Sequence, residues 1–473
     1  MSKPGSGGSA GATSGSGGNA GASMTGTGGS LLPPPSATPC KGLECARTTC
    51  NNGPCTQQPC GAGQQTSVSG MVFDPAGKVP LYNIVVYVPN LPLVPLKPIV
   101  EGVTCDKCQT TIDGAVAAAL TDSAGNFKLN DVPVGTDIPL VIEVGKWRRQ
   151  ITIPSVARCT NTAMTDKNLT RLPKNKAEGH IPKIALTTGG VDALECLLRK
   201  IGIEDSEFTP EAMDGRVNLF AGGNAMGVPM SMTSPGTASY DTTLNGGAKF
   251  TDAEVWWESL DNLKKYDLVL HSCEGTQDPT NKSAVATAAL QSYADVGGRV
   301  FASHWHNYWI RSGPAPLSTI GMFGGNGNLN MITATIDTSF PKGNALADWL
   351  VAVGASTMRG QLPIVGGKRT MQTLNTMVAQ RWIYLDMPET IQYLTANTPV
   401  GAAADAQCGR VVFSDLHVSS GLGRATDDKS NPLVPFPTGC MNADLSPQEK
   451  ALEFMLFDLS SCIRRDDVPP VVK

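Results

Sequence analysis

Ser303-His304-Trp305-His306-Asn307 crowds a hydroxyl, two imidazoles and a carboxamide into five residues, in a chain with only five histidines. A hydroxyl beside an imidazole is raw material for nucleophilic catalysis, because the ring nitrogen can accept the hydroxyl proton. Cys273-Glu274 and Asp415-Leu416-His417 add a thiol, two carboxylates and a third imidazole. Three chemistries are open to these groups. Ser303 or Cys273 could attack as nucleophile, with His304 or His306 as base. Glu274, Trp305, Asn307, Asp415 and His417 could instead hold a ligand, with Tyr308 and Trp309 offering aromatic faces to a sugar ring. Ring nitrogens facing a carboxylate could hold a metal, but no further ligand is placed by clear spacing, so neither a metal nor another cofactor is expected. The plainer alternatives are a packed, inactive crevice in which the polar groups satisfy one another, and a Cys273 consumed by a disulfide.

These residues fall where strands should end. From Ile181 onwards short apolar runs alternate with helical segments, the pattern of a parallel sheet. The runs are 183–188, 217–223, 266–275, 299–304 and 410–415. Between them, Val191, Leu194, Leu197, Leu198 and Ile201 keep helical spacing, and so do Val255, Trp256, Leu260 and Leu263 after Thr251-Asp252-Ala253-Glu254. A helix is expected over 283–296, closed by Gly297-Gly298, another near 345–353, and a last one opening at Ser446-Pro447-Gln448-Glu449. Open parallel sheets bind ligands beyond the carboxyl ends of their strands. His304, His306 and His417 should therefore lie within about 10 Å of one another.

The region before Ile181 reads differently. Asp74-Pro75-Ala76-Gly77, Asp122-Ser123-Ala124-Gly125 and Val132-Pro133-Val134-Gly135 are turn signals between short β-branched and aromatic runs. They indicate an antiparallel sandwich over 66–158. Thr160–Gly179 is polar, so 159–180 reads as a linker. Cys105, Cys108 and Cys159 are expected together at one end of the sandwich with one disulfide among them; the alternative is a local Cys105–Cys108 bridge. Cys40, Cys45, Cys50, Cys55 and Cys60 recur every five residues without histidine, which suits a small disulfide knot better than a metal site. Of residues 1–39, 33 are Gly, Ser, Ala, Pro or Thr, so this segment is expected to be a disordered spacer.

Two family resemblances follow from particular residues. Ser69-Gly70-Met71-Val72-Phe73-Asp74, Gly77 with Pro80-Leu81, and Thr121 through Leu129 resemble the carboxypeptidase regulatory-like domain. That resemblance implies a non-catalytic seven-stranded sandwich of structural or adhesive use, here with an added Pro-rich segment at 89–118. Residues 66–158 contain no histidine, so no His-x-x-Glu peptidase motif falls within the sandwich. Tyr266-Asp267-Leu268-Val269, Tyr293-Ala294-Asp295-Val296-Gly297-Gly298 and the run 299–304 resemble the class I glutamine amidotransferase-like fold, including its trehalose-utilisation branch. This implies a flavodoxin-like α/β domain over 181–463. A glutaminase needs Gly-x-Cys-x-Gly at the elbow, whereas Ala302-Ser303-His304-Trp305-His306 stands here, so glutamine hydrolysis is not expected.

The 473 residues carry 37 Lys and Arg against 41 Asp and Glu, a net charge of −4, which excludes the basic face of a nucleic-acid binder. The longest apolar stretch, 84–100, contains four prolines, so no transmembrane helix is expected. The whole reads as a multidomain chain: spacer 1–39, Cys-rich 40–65, sandwich 66–158, linker 159–180, α/β domain 181–463 and tail 464–473. With 13 cysteines it belongs in an oxidising compartment, exported to the cell envelope or beyond. A binding or structural role leads, with a carbohydrate or other envelope component as partner. A Ser/Cys–His hydrolase is the rival.

Overall fold

Seven strands build the N-terminal part of the computed structural model, which describes residues 47–50, 53–91, 94–109, 111–223, 235–325, 327–418 and 434–472. Asn126–Asn130, Ser67–Met71 and Asn161–Met164 form one sheet; Ala115–Leu120, Val85–Pro89, Gly135–Val144 and Trp147–Val156 form the other. Alternation makes the sandwich: Phe127 and Leu129 point inward while Asn126, Lys128 and Asn130 are exposed. Val68, Val86, Leu140, Ile142 and Ile153 are fully buried between the sheets. Asp122 shapes the turn before Phe127 by accepting from the Ala124 and Asn126 amides, both at 2.8 Å. Gly125 takes φ +80° there, and a Cβ on it would meet Pro80 at 2.6 Å, so only glycine fits.

Two expectations need correction. The sandwich is not wholly antiparallel, because Asn161–Met164 pairs parallel with Ser67–Met71. That strand lies inside 159–180, so the stretch read as linker is packed structure, with Leu172 fully buried and Arg171 bonded to Glu178 at 2.6 Å. Its polarity belongs to an edge strand and to paired charges. The spacer 1–39, Cys40 and Cys45 lie outside the described residues. Of Cys50 and Cys55 only the backbone is described, in the antiparallel pair Arg47–Cys50 and Gly53–Thr56.

The second part is a mixed sheet of eleven described strands, of which Phe208–Thr209 and Thr251–Asp252 are two-residue pieces at one edge. Strands β1 (Ile184–Thr187), β2 (Val217–Ala221), β3 (Leu268–His271), β4 (Arg299–Ser303), β5 (Ile332–Ile336), β6 (Gln361–Ile364), β7 (Gln380–Asp386), β8 (Glu389–Thr398) and β9 (Gly409–Ser414) run in the order β2-β1-β3-β4-β9-β8-β7-β5-β6. From β2 to β9 the pairing is parallel, as expected. Beyond β9 it is antiparallel, which corrects the purely parallel expectation. The hairpin β7–β8 reverses between Asp386 and Glu389 and brings the chain back beside β9.

Helices cover both faces, and the parallel strands are accordingly apolar on both sides. Ile184, Leu186, Leu268, Leu270 and Phe301 face one core with helices α1 (Leu194–Lys200), α3 (Pro341–Ala352) and α4 (Pro447–Ser460). Ala185, Val269, Val300 and Phe413 face the other with α2 (Ala284–Asp295). Ser446 and Glu449 form the expected capping box of α4, and Ser283 caps α2. The Thr251 segment departs from expectation. Its helix breaks at Ser259 into two short pieces, Val255 is 71% exposed, and Trp257 takes the inward place. The tail is held too, since Asp466 bonds Arg410 at 2.8 Å in the interior.

The sandwich packs on the α3/α4 face. Tyr82 stacks on Phe454 at 5.6 Å, Trp147 meets Phe457 edge-on at 5.6 Å, and the Trp349 indole donates to the Pro80 carbonyl at 2.7 Å. Four disulfides are described: Cys60–Cys159, Cys105–Cys408, Cys108–Cys462 and Cys196–Cys440. Cys105, Cys108 and Cys159 are all half-cystines, but no bond joins them to one another. The Pro-rich segment is fastened to the sheet and the C-terminal stretch instead, because it lies over them: the Cys108 amide donates to Ile463 and the Ile463 amide to Asp106. Among the described residues, no helix is long and apolar enough to cross a membrane.

Candidate functional site

The carboxyl ends of β1, β3, β4 and β9 lie side by side in the middle of the sheet, and the chain leaves each of them with polar residues. Thr188 to Asp192 follow β1, Ser272 to Glu274 follow β3, His304 to Asn307 follow β4, and Asp415 to His417 follow β9. Close approach of these turns depends on Gly189, where a Cβ would stand 2.2 Å from the Cys273 carbonyl oxygen. At the β4 exit the chain winds directly into a 3-10 turn, His304–Asn307, and His304 adopts φ 41°. A non-glycine residue in that region stores strain, and such residues gather at functional positions.

One cluster centres on the thiol. Cys273 Sγ and His304 Nδ1 stand 3.2 Å apart and share a hydrogen, while the His304 and His417 rings are 5.0 Å apart between centroids. Cys273 is a free, buried thiol, which removes the half-cystine alternative. Burial pushes its pKa up, against the backbone amides of Trp305 and Gly275, which favour the thiolate. Burial likewise drives His304 well below the usual imidazole value, helped by His417 and Lys368, and holds His417 at about 3. Both rings are neutral at pH 7. Trp305 tilts over His304 at 4.6 Å.

Ser303 does not reach an imidazole. Its hydroxyl donates to the carboxylate of Asp192, whose other oxygen accepts from the Val418 amide at 2.9 Å. Burial raises Asp192 to about 7 in spite of these donors. Asp415 is similarly occupied: it accepts from the amide and hydroxyl of Thr370, at 2.9 and 2.7 Å, and burial raises it to about 6.

His306 belongs to a second cluster. Its ring stacks on His271 at 4.9 Å, and its Nδ1 accepts from the Trp309 indole at 2.9 Å, which puts the proton of the neutral ring on Nε2. That nitrogen is 3.6 Å from Glu274 Oε1, beyond hydrogen-bond reach. Glu274 instead pairs with Lys282 at 2.9 Å, and Lys282 lies over the rings of Trp257 and Trp309 at 5.2 and 5.9 Å. Asn307 accepts from Gln277 at 2.7 Å. Trp309 is buried, so it offers no face to a sugar; Trp305 and Tyr308 are half-buried.

His304 and His417 lie together, while His306 turns its ring to His271 and still stands near enough to His304 to act on its charge. Asp192, His271, Lys282 and Thr370 were missed. Asp192 carried the one available signal, a carboxylate five residues past a strand end and just beyond a Gly-Gly pair.

No protein-family model matches the chain, and no curated protein matches it. Among solved structures, a ThuA-like protein from Bacteroides uniformis aligns with 50% of this chain and 82% of its own, at 10% identity and a TM-score of 0.28. A type II cohesin–X–dockerin complex from Acetivibrio cellulolyticus aligns with 32% of this chain and 80% of its own, at 18% identity and a TM-score of 0.16. Scores this low carry no argument about fold or activity.

Proposed function

We propose that this chain is an exported cell-envelope protein with a binding or structural role, its ligand a carbohydrate or another envelope component held at the carboxyl ends of β1, β3, β4 and β9. In this reading the spacer 1–39 stands the carboxypeptidase regulatory-like sandwich and the amidotransferase-like sheet away from the envelope. Four disulfides are compatible with an extracellular location. One observation carries the preference for binding over catalysis. The Ser303 hydroxyl is tied to Asp192 rather than to an imidazole, so it has no base of the kind that activates a serine.

The 3.2 Å approach of Cys273 to His304 favours a second reading, a thiol-dependent hydrolase. Against it, burial raises the thiol and lowers the imidazole, the reverse of what a thiolate–imidazolium pair needs. The test is a panel of ester, amide and glycoside substrates alongside a glycan-binding array, both with the intact chain. Saturable glycan binding without turnover is expected. Turnover abolished by iodoacetamide and by Cys273→Ala would replace the binding role with the hydrolase.

A further inference from the structure

We propose that Cys273, His304 and His417 form a site for one borderline-soft divalent cation, zinc foremost. The three side chains come from the ends of three adjacent strands, β3, β4 and β9, and one donor atom from each lies within 4.8 Å of the others. Their relative exposures are 0%, 3% and 2%. A thiolate with two imidazoles selects zinc or copper over magnesium and calcium, which take oxygen ligands. Bonds of about 2.3 Å to sulfur and 2.0–2.1 Å to nitrogen hold tetrahedral donors about 3.5 Å apart. The Cys273 and His304 donors stand at 3.2 Å, so the pair opens slightly, and closing the widest gap in the trio takes a shift of about 1 Å.

A separate observation points to a missing partner. The His417 Nε2 is buried and makes no hydrogen bond. A buried nitrogen without a partner, in a cluster with a thiol, fits a ring that presents nitrogen to a cation; His304 meets the thiol through Nδ1, so its own Nε2 does not bear on the site. On binding, the ion takes the place of the thiol proton, which is released. Three protein ligands leave a fourth tetrahedral position open. The site adds to the proposed binding role and is independent of it, because metal uptake is read directly whatever the chain binds.

The intact, disulfide-bonded chain is stripped with a chelator and titrated with cobalt(II). Saturation at about one cobalt per chain is expected, with a thiolate-to-cobalt charge-transfer band that zinc removes. Cys273→Ser should abolish the band, and His417→Ala should weaken uptake by more than the roughly 100-fold that an outer-shell change costs. X-ray absorption of the zinc-loaded wild-type chain keeps the test independent of whether the variants fold. It should give one sulfur and two imidazole nitrogens in the first shell. Absence of saturable uptake, a band that survives in Cys273→Ser, or an oxygen-only zinc shell would overturn the site.

Discussion

At Ser303 and His304 the chain does two unlike things in adjacent positions: one side chain is locked to an acid, the next sits on a left-handed backbone beside a thiol. The lock is open to measurement. Ser303→Ala removes a donor from the buried Asp192 carboxyl and should cost about 1–3 kcal/mol in urea unfolding. Asp192 ionises at about 7 in the folded chain, so the loss should be larger at pH 8, where the bare carboxylate needs the donor, than at pH 5. An unchanged unfolding midpoint at both values would contradict this. The chemistry-bearing types at 303–307 and 415–417 were legible because they are rare residues at the ends of readable strands. Their partners were not. Whether an aspartate such as Asp192 or a lysine such as Lys282 is buried depends on what faces it across the fold, and local spacing carries no trace of that.

Among the elements, the join between the sandwich and α4 holds an unusual pair of acids. Asp74 accepts from the Lys78 and Val79 amides with one oxygen, but its Oδ2 and both oxygens of Glu453 lack donors. A proton held between the two carboxyls supplies one. Burial raises Asp74 to about 6, and burial with Asp74 alongside raises Glu453 well above the usual range. Both groups bind their protons more tightly folded than unfolded. Their contribution is therefore fully present below about pH 4 and declines as pH rises through about 6 and beyond. Glu453→Gln keeps the volume and provides an amide donor. It should melt at a higher temperature than wild type at pH 8 and near the wild-type temperature at pH 4; parallel pH profiles would refute the shared proton. The elements meeting here were readable, since Asp74 opens a turn and Ser446 opens a capping box. The antiparallel strands β5 to β8 were not. They carry Gln392 and Thr395 as fully interior residues that bond Lys368 and Asp466, so their apolar pattern is broken by groups satisfied only in the fold.

For the molecule as a whole, the cross-links override the order of the sequence. Cys105–Cys408 and Cys108–Cys462 close separations of 303 and 354 residues between the sandwich's Pro-rich segment and the far side of the chain. A single loop of that size is worth roughly 6 kcal/mol in the chain-entropy view. Cleavage anywhere between residues 165 and 183 cuts the backbone between sandwich and sheet, yet the two pieces should run as one band without reductant and as two with it. Two bands without reductant would mean that these bridges do not form.

The same topology bears on manufacture. A ribosome delivers Cys105 and Cys108 long before it delivers Cys408 and Cys462. During that interval two thiols stand three residues apart in the chain, with Cys60 and Cys159 already made, so wrong partners exist and the right ones are not yet synthesised. An oxidase that acted on the emerging chain would favour the nearest pairing, so the correct product calls for either late oxidation or an isomerase to undo early mistakes.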